Sequence, residues 1–353
     1  MLNLSSKFQR QVEIKKRRSD WWLFHATDFQ SLMYPCFFFC RILGIFPYKI
    51  NGSSFENSKP CYLLSTIVMC IFTSCALIII TDIPGWFQVS TVSKMIELHF
   101  VYIFGSFLTI VTYVLSGPQK QLLHTILKNS LILPSKTYRK HSMLIHAKDI
   151  FGFFILFGHL LIIIISAIHM SLWAKLSLMY NILVKFVMNM LYINCVYVLK
   201  ACFKKINDDL KNLLVTNDKH LVKWICRKQS NPLLLMELNA LKKRHLTISA
   251  SVQMLNIIYS PQLLASLVII FIRITFEIYS NVVHWQNGYV VWSSENIQIN
   301  VVIYLWAYFI LKILLMAWVC ETGKNEAIKI STTVHDAINR TSDEQIKYEV
   351  PKS

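Results

Sequence analysis

Arg273 and Glu277 stand four residues apart near the end of a long apolar run, so on a helix they share one face and can pair. Inside a bilayer such a pair is either a structural lock or an anchor for a polar ligand, because ionisable groups there are costly. Other polar residues lie near the ends of apolar runs. Glu97, His99 and Tyr102 begin one, His169 closes another, Tyr180 and Asn181 open a third, and Asn300, Tyr304 and Trp306 open the last. His99 and His169 can donate to ligand hydroxyls, or sit solvated or paired within a helix. Tyr304 and Trp306 present broad amphipathic faces that can stack on a ring, and such residues also anchor helices at a membrane boundary. An amide such as Asn300, placed within a span, must find a partner. Lys185 falls in the middle of a run and suits a water-filled cavity or an intersubunit contact; Lys312 lies nearer the inner end, where its long stem can snorkel.

None of these groups has catalytic spacing. The chain carries no H-E-x-x-H, G-x-S-x-G or P-loop run and no Cys/His cluster at metal spacing, so no enzyme, metal site or cofactor is expected. The 9 cysteines are scattered through apolar sequence and read as small core residues.

The elements that position these residues follow from composition. An apolar content of 54% with 16% charged residues is too apolar for an ordinary soluble domain of 353 residues, and the apolar residues fall in long blocks. Six blocks approach the ~20 residues a helix needs to cross the hydrocarbon core: 61–80, 98–115, 150–168, 176–199, 252–272 and 297–320. Pro261 is expected to kink the fifth. Residues 29–46 are broken by Pro35 and Arg41 and read as an interfacial or docked segment. The prediction is an all-α polytopic bundle of six spans. Residues 1–60 form an N-terminal segment with an interfacial helix, 61–320 the transmembrane bundle, and 321–353 a C-terminal anchor-helix segment.

Charge sets the orientation. The net charge of +17 is not accompanied by any nucleic-acid-binding motif; the cations sort by loop instead. Segments 1–60, 117–148, 201–250 and 321–353 hold 9, 6, 10 and 5 Lys and Arg, whereas the opposite connections hold Lys94 and Lys175. By the positive-inside rule both ends of the chain are cytoplasmic. No cysteine falls in an outer loop, and the sequons at Asn3, Asn51 and Asn339 all lie inside. A G-protein-coupled receptor, with an external N-terminus, would export the basic run Lys15–Arg18 against this bias.

Three stretches carry a resemblance. "MYPCFFFCRILGIFP" (Met33 to Pro47) resembles the pre-membrane segment of the insect gustatory receptors, in the insect chemosensory receptor superfamily. "LNALKKRHLTISASVQMLNIIYSPQLL" (Leu238 to Leu264) is similar to that family's approach to the fifth span, with a departure around Ile257 and Ile258. "CETGKNEAIKISTTVHDAI" (Cys320 to Ile338) resembles its junction after the sixth span. The resemblance implies a cell-membrane receptor for small-molecule tastants, sugar or bitter, mediating acceptance or avoidance through ligand-gated cation flux. It implies a homo- or heterotetramer in contact with membrane lipid. The ligand pocket would lie among the outer halves of the helices, which makes His99, Tyr102, His169, Asn181, Arg273, Glu277, Asn300, Tyr304 and Trp306 the candidate binding residues.

Family members carry a seventh span with a Thr-Tyr…Gln-Phe signature that lines the pore. The sequence is expected to stop before it, so the alternative is a non-conducting or modulatory subunit. In the junction, Ile330, Val334, Ala337 and Ile338 form one apolar stripe, predicting a packed inner helix.

Overall fold

Charge clusters end the apolar runs without ending the helices. The computed structural model describes residues 24–51, 54–83, 85, 92–166, 171–221, 232–286 and 296–340. Helix α1 (Phe29–Ile42) leads into a hairpin of β1 (Tyr48–Asn51) and β2 (Ser54–Asn57). There follow α2 (Lys59–Thr81), α3 (Val92–Val114), α4 (Ser116–Ser130), α5 (Ser135–Ser166), α6 (Leu172–Leu221), α7 (Pro232–Gln286) and α8 (Asn296–Arg340). Among the described residues, α2, α3, α5, α6, α7 and α8 are the 6 helices long and apolar enough to cross a membrane.

Each predicted span lies within one of these helices, except that the second ends one residue past its helix and the last two residues of the third, 167–168, lie outside the described residues. The last four helices are far longer than their spans. The 55 residues of α7 extend about 83 Å at 1.5 Å per residue, against a hydrocarbon core of about 30 Å. It runs through Pro261 and back to Pro232, whose missing N–H costs nothing at a helix start. Lys242, Lys243 and Arg244 extend it past the apolar run because straight-chain cations are good helix formers. The 45 residues of α8 likewise continue unbroken from the sixth span through Trp318 to Arg340.

These extensions build an inner layer with α1 and α4. In it, Thr333 Oγ1 on α8 donates to Asn207 Oδ1 on α6 at 2.8 Å, and both are buried. Ile330 is buried and Val334 half-buried on the same face, as the apolar stripe requires; the side chains of Ala337 and Ile338 lie outside the description. Asn129 Nδ2 on α4 donates to Ser251 Oγ on α7 at 3.0 Å.

Helix α1 resolves the ambiguous segment. Asp28 and Ser31 form a reciprocal capping box, with Ser31 N–H donating to Asp28 Oδ1 at 2.8 Å and Asp28 N–H donating to Ser31 Oγ at 3.2 Å. Its 14 residues reach about 21 Å, too short to cross. One face, Phe29, Leu32, Met33, Cys36, Phe37 and Cys40, is buried, chiefly against α5 and α6. The chain then turns at Gly44, where φ is +68° and an added Cβ would lie 3.2 Å from Ser65 Cα. Only glycine suits that turn and that approach to α2. The Ser65 hydroxyl donates to the Gly44 carbonyl and pins the two together.

The core is centred on α6, whose spanning part is buried nearly all round. A helix apolar on every face belongs inside a bundle. By contrast α2 and α5 expose runs such as Leu63, Ile67 and Ile71, or Phe151, Phe154 and Phe157, outward to lipid.

Candidate functional site

Four helices converge at one end of the bundle around a cavity of about 230 Å³. Lys94 and Glu97 come from α3, His159, Ile162 and Ile163 from α5, Arg273, Ile274 and Glu277 from α7, and Trp306 and Phe309 from α8. They share one end because α3 and α8 begin there while α5 and α7 finish there.

Charge pairing shapes one wall. Glu97 is buried on α3 yet carries two cationic neighbours. Lys94 Nζ donates to its Oε2 at 2.7 Å, one helical turn away. Arg273 Nε lies 3.6 Å from its Oε1, across the α3–α7 interface. The i, i+4 spacing pointed Arg273 toward Glu277, but its ion pair reaches a carboxylate 176 residues earlier in the chain. Glu277 lines the same cavity and is itself engaged.

Three buried nitrogens around the cavity lack hydrogen-bond partners. His159 Nδ1, Arg273 Nε and Trp306 Nε1 are buried and find no hydrogen-bond partner within the protein. His159 is only 2% exposed and stacks on Tyr308 at 5.4 Å. A buried polar group without a partner is destabilising by about 1–3 kcal/mol, so three on one cavity mark a place where another molecule completes the bonding.

The sequence candidates divide. Arg273, Glu277 and Trp306 come together at the cavity. Tyr304 lies two residues before Trp306 but is occupied: its hydroxyl donates to the Ile155 carbonyl, beside Gly158, where a Cβ would sit 2.8 Å from that hydroxyl. It clasps α5 to α8. Tyr102 is buried among Ala76, Ile79 and Ala174 and donates to the Ala174 carbonyl at 3.0 Å. Asn181 donates to the Ser177 carbonyl at 3.0 Å and packs on Gly105 of α3. His99 bonds the Met95 carbonyl through Nδ1 at 2.8 Å. None of these four side chains lines the cavity. Asn300 is in α8 with its side chain outside the described residues, and His169 lies outside them altogether.

His159 escaped the sequence reading, as did the contribution of Lys94. The signal for His159 was present, a single ionisable residue inside the run 150–168. Deeper in the bundle Lys312 Nζ donates to Ser266 Oγ at 3.0 Å, and Lys185 borders a space of about 10 Å³ with Asn189 and Gln262. That space is about the size of one water. Among the described residues no group of His, Cys, Asp and Glu is arranged to hold a metal.

Comparison with known proteins fixes the family. A model described as 7tm Chemosensory receptor matches residues 33–350. The chain belongs to the 7tm chemosensory receptor family. The bundle is also similar to the solved structure of an insect olfactory receptor, OR5 from Machilis hrabei. The TM-score is 0.62 at 10% identity, over 92% of this chain and 87% of that one, a likeness of fold. A search of curated proteins gives no match. The chain is therefore a multi-pass membrane receptor of the chemosensory family, with the helical bundle expected of it.

Proposed function

We propose that this receptor is gustatory. It detects small-molecule tastants at the α3–α5–α7–α8 cavity and couples occupancy to cation flux within a tetramer, driving acceptance or avoidance. The observation that carries this reading is the cavity itself: a family scaffold surrounds about 230 Å³ whose walls hold three buried nitrogens with no hydrogen-bond partner in the protein. With the N-terminus inside, as the charge distribution favours, this end of the bundle faces the exterior. A ligand arriving from outside then touches four helices at once, and three of them, α5, α7 and α8, continue into the inner layer. Differential contact with two arrangements of those helices is what would shift a gating equilibrium.

The test is expression at the cell surface, alone and with a complete family member, followed by a tastant panel read as cation current. Ile163→Trp fills the cavity and should abolish the response while leaving surface expression in place. Responses that survive Ile163→Trp would place the ligand elsewhere. Currents seen only with the partner would favour the alternative, a modulatory subunit.

A further inference from the structure

The chemistry of the cavity wall selects its ligand, and we infer that the occupant is a small neutral molecule bearing hydrogen-bond acceptors, such as a ketone, aldehyde or ester, rather than a protonated amine. The inference rests on the cavity being the ligand site and adds the class of ligand.

The donor and acceptor inventory is one-sided. Trp306 Nε1 is a donor only and has no acceptor in the protein; Arg273 Nε, also a donor only, lies 3.6 Å from Glu97 Oε1, an ion pair too long for a hydrogen bond. His159 Nδ1 is also unpartnered and donates in one of the two neutral tautomers. The carboxylates on the same walls already have partners. Glu97 receives Lys94 on one oxygen and faces Arg273 with the other, and Glu277 is engaged. A carbonyl oxygen, with two lone pairs, meets what the walls offer. An ammonium brings up to three more donors to walls that already have a surplus.

Charge points the same way. The lining side chains Lys94 and Arg273 balance Glu97 and Glu277. A cationic ligand would add a positive charge beside Arg273 with no free carboxylate to meet it, and a carboxylate ligand would meet two existing ones. Neutral occupants leave this balance intact.

Size narrows the class. A cavity of 150 Å³ takes benzene, so about 230 Å³ scales to roughly nine non-hydrogen atoms. The remaining walls, Ile162, Ile163, Ile274 and Phe309, are apolar, so the rest of the ligand is hydrocarbon. A disaccharide has too many atoms and too many hydroxyls for them.

Three probes of one skeleton separate the possibilities: acetophenone (acceptor only), 1-phenylethylamine (cationic at neutral pH) and ethylbenzene (neither). Each is titrated against the receptor in nanodiscs, and binding is read as ligand-dependent thermal stabilisation, with Ile163→Trp as the blank. Acetophenone should bind about tenfold more tightly than ethylbenzene, and the amine more weakly than either. Replacing one donor while keeping an aromatic ring, by Trp306→Phe or His159→Phe, should shrink the acetophenone advantage several-fold in at least one variant and leave ethylbenzene unchanged. Cavity-dependent binding in which the amine or ethylbenzene equals acetophenone overturns the ligand class and keeps the site. So does an advantage that survives in both variants. Binding of no probe, or binding indifferent to Ile163→Trp, overturns the site itself.

Discussion

A carboxylate buried at residue 97 is tolerable because two cations flank it, and only one of them, Arg273, comes from another helix. Removing one partner of a buried pair leaves an uncompensated charge. Arg273→Gln should therefore cost about 3 kcal/mol in thermal unfolding, at the low end of the buried range because Lys94 remains. Glu97→Gln in the same chain should recover part of that loss, and a double-mutant cycle measures the coupling. Gly158 gives a second residue-scale prediction. Gly158→Ala drives a Cβ toward the Tyr304 hydroxyl and should destabilise by about 1–3 kcal/mol. Tyr304→Phe should suppress most of this penalty, since the clash is with the oxygen. The polar character of Arg273, Glu277 and Trp306 was legible from their places near the span ends. Which of them share a cavity was not, because helix rotation is set by packing against neighbours. Tyr102, Asn181 and Tyr304 illustrate this: each is polar and near a span end, and each is spent on a neighbouring helix's backbone or its own.

At the scale of elements, apolar length located the six spans and undercounted the helices. Water and charge end a membrane crossing; only lost backbone bonding or a breaker ends a helix, and no proline intervenes between Lys242 and Ser260 or between Trp318 and Arg340. The junction after the sixth span is therefore continuous helix. Its polar cluster, Glu321 to Glu326, is surface on a rod whose other side docks against α6. Thr333→Val tests that docking. It leaves the buried Asn207 carbonyl without its donor and should cost about 1–2 kcal/mol, measured by denaturation of the purified receptor. Pairing Thr333→Val with Asn207→Leu should recover part of it. Gly44 is the corresponding control at the other end of the chain. Gly44→Ala imposes a side chain at φ +68° against Ser65 and should loosen α1 from α2, seen as faster proteolysis of residues 24–57. In the sequence, Pro35 and Arg41 break the segment 29–46, but α1 runs unbroken through both; its burial comes from a periodic face, Phe29 to Cys40.

At the scale of the molecule, lysines and arginines sort the connections into two populations, and the cavity lies at the end of the bundle where they are few. That coincidence supports the proposal that the cavity is a ligand site facing outward. Lys94 stands at its mouth with its side chain 50% exposed, the one outward cation that both the charge count and the cavity share. Lys94→Cys in intact cells, treated with a membrane-impermeant maleimide and compared with the unsubstituted chain, tests the account most directly. The orientation proposed here predicts labelling without permeabilisation, slowed when acetophenone is present. Labelling only after the membrane is opened would put the cavity on the cytoplasmic side and contradict it.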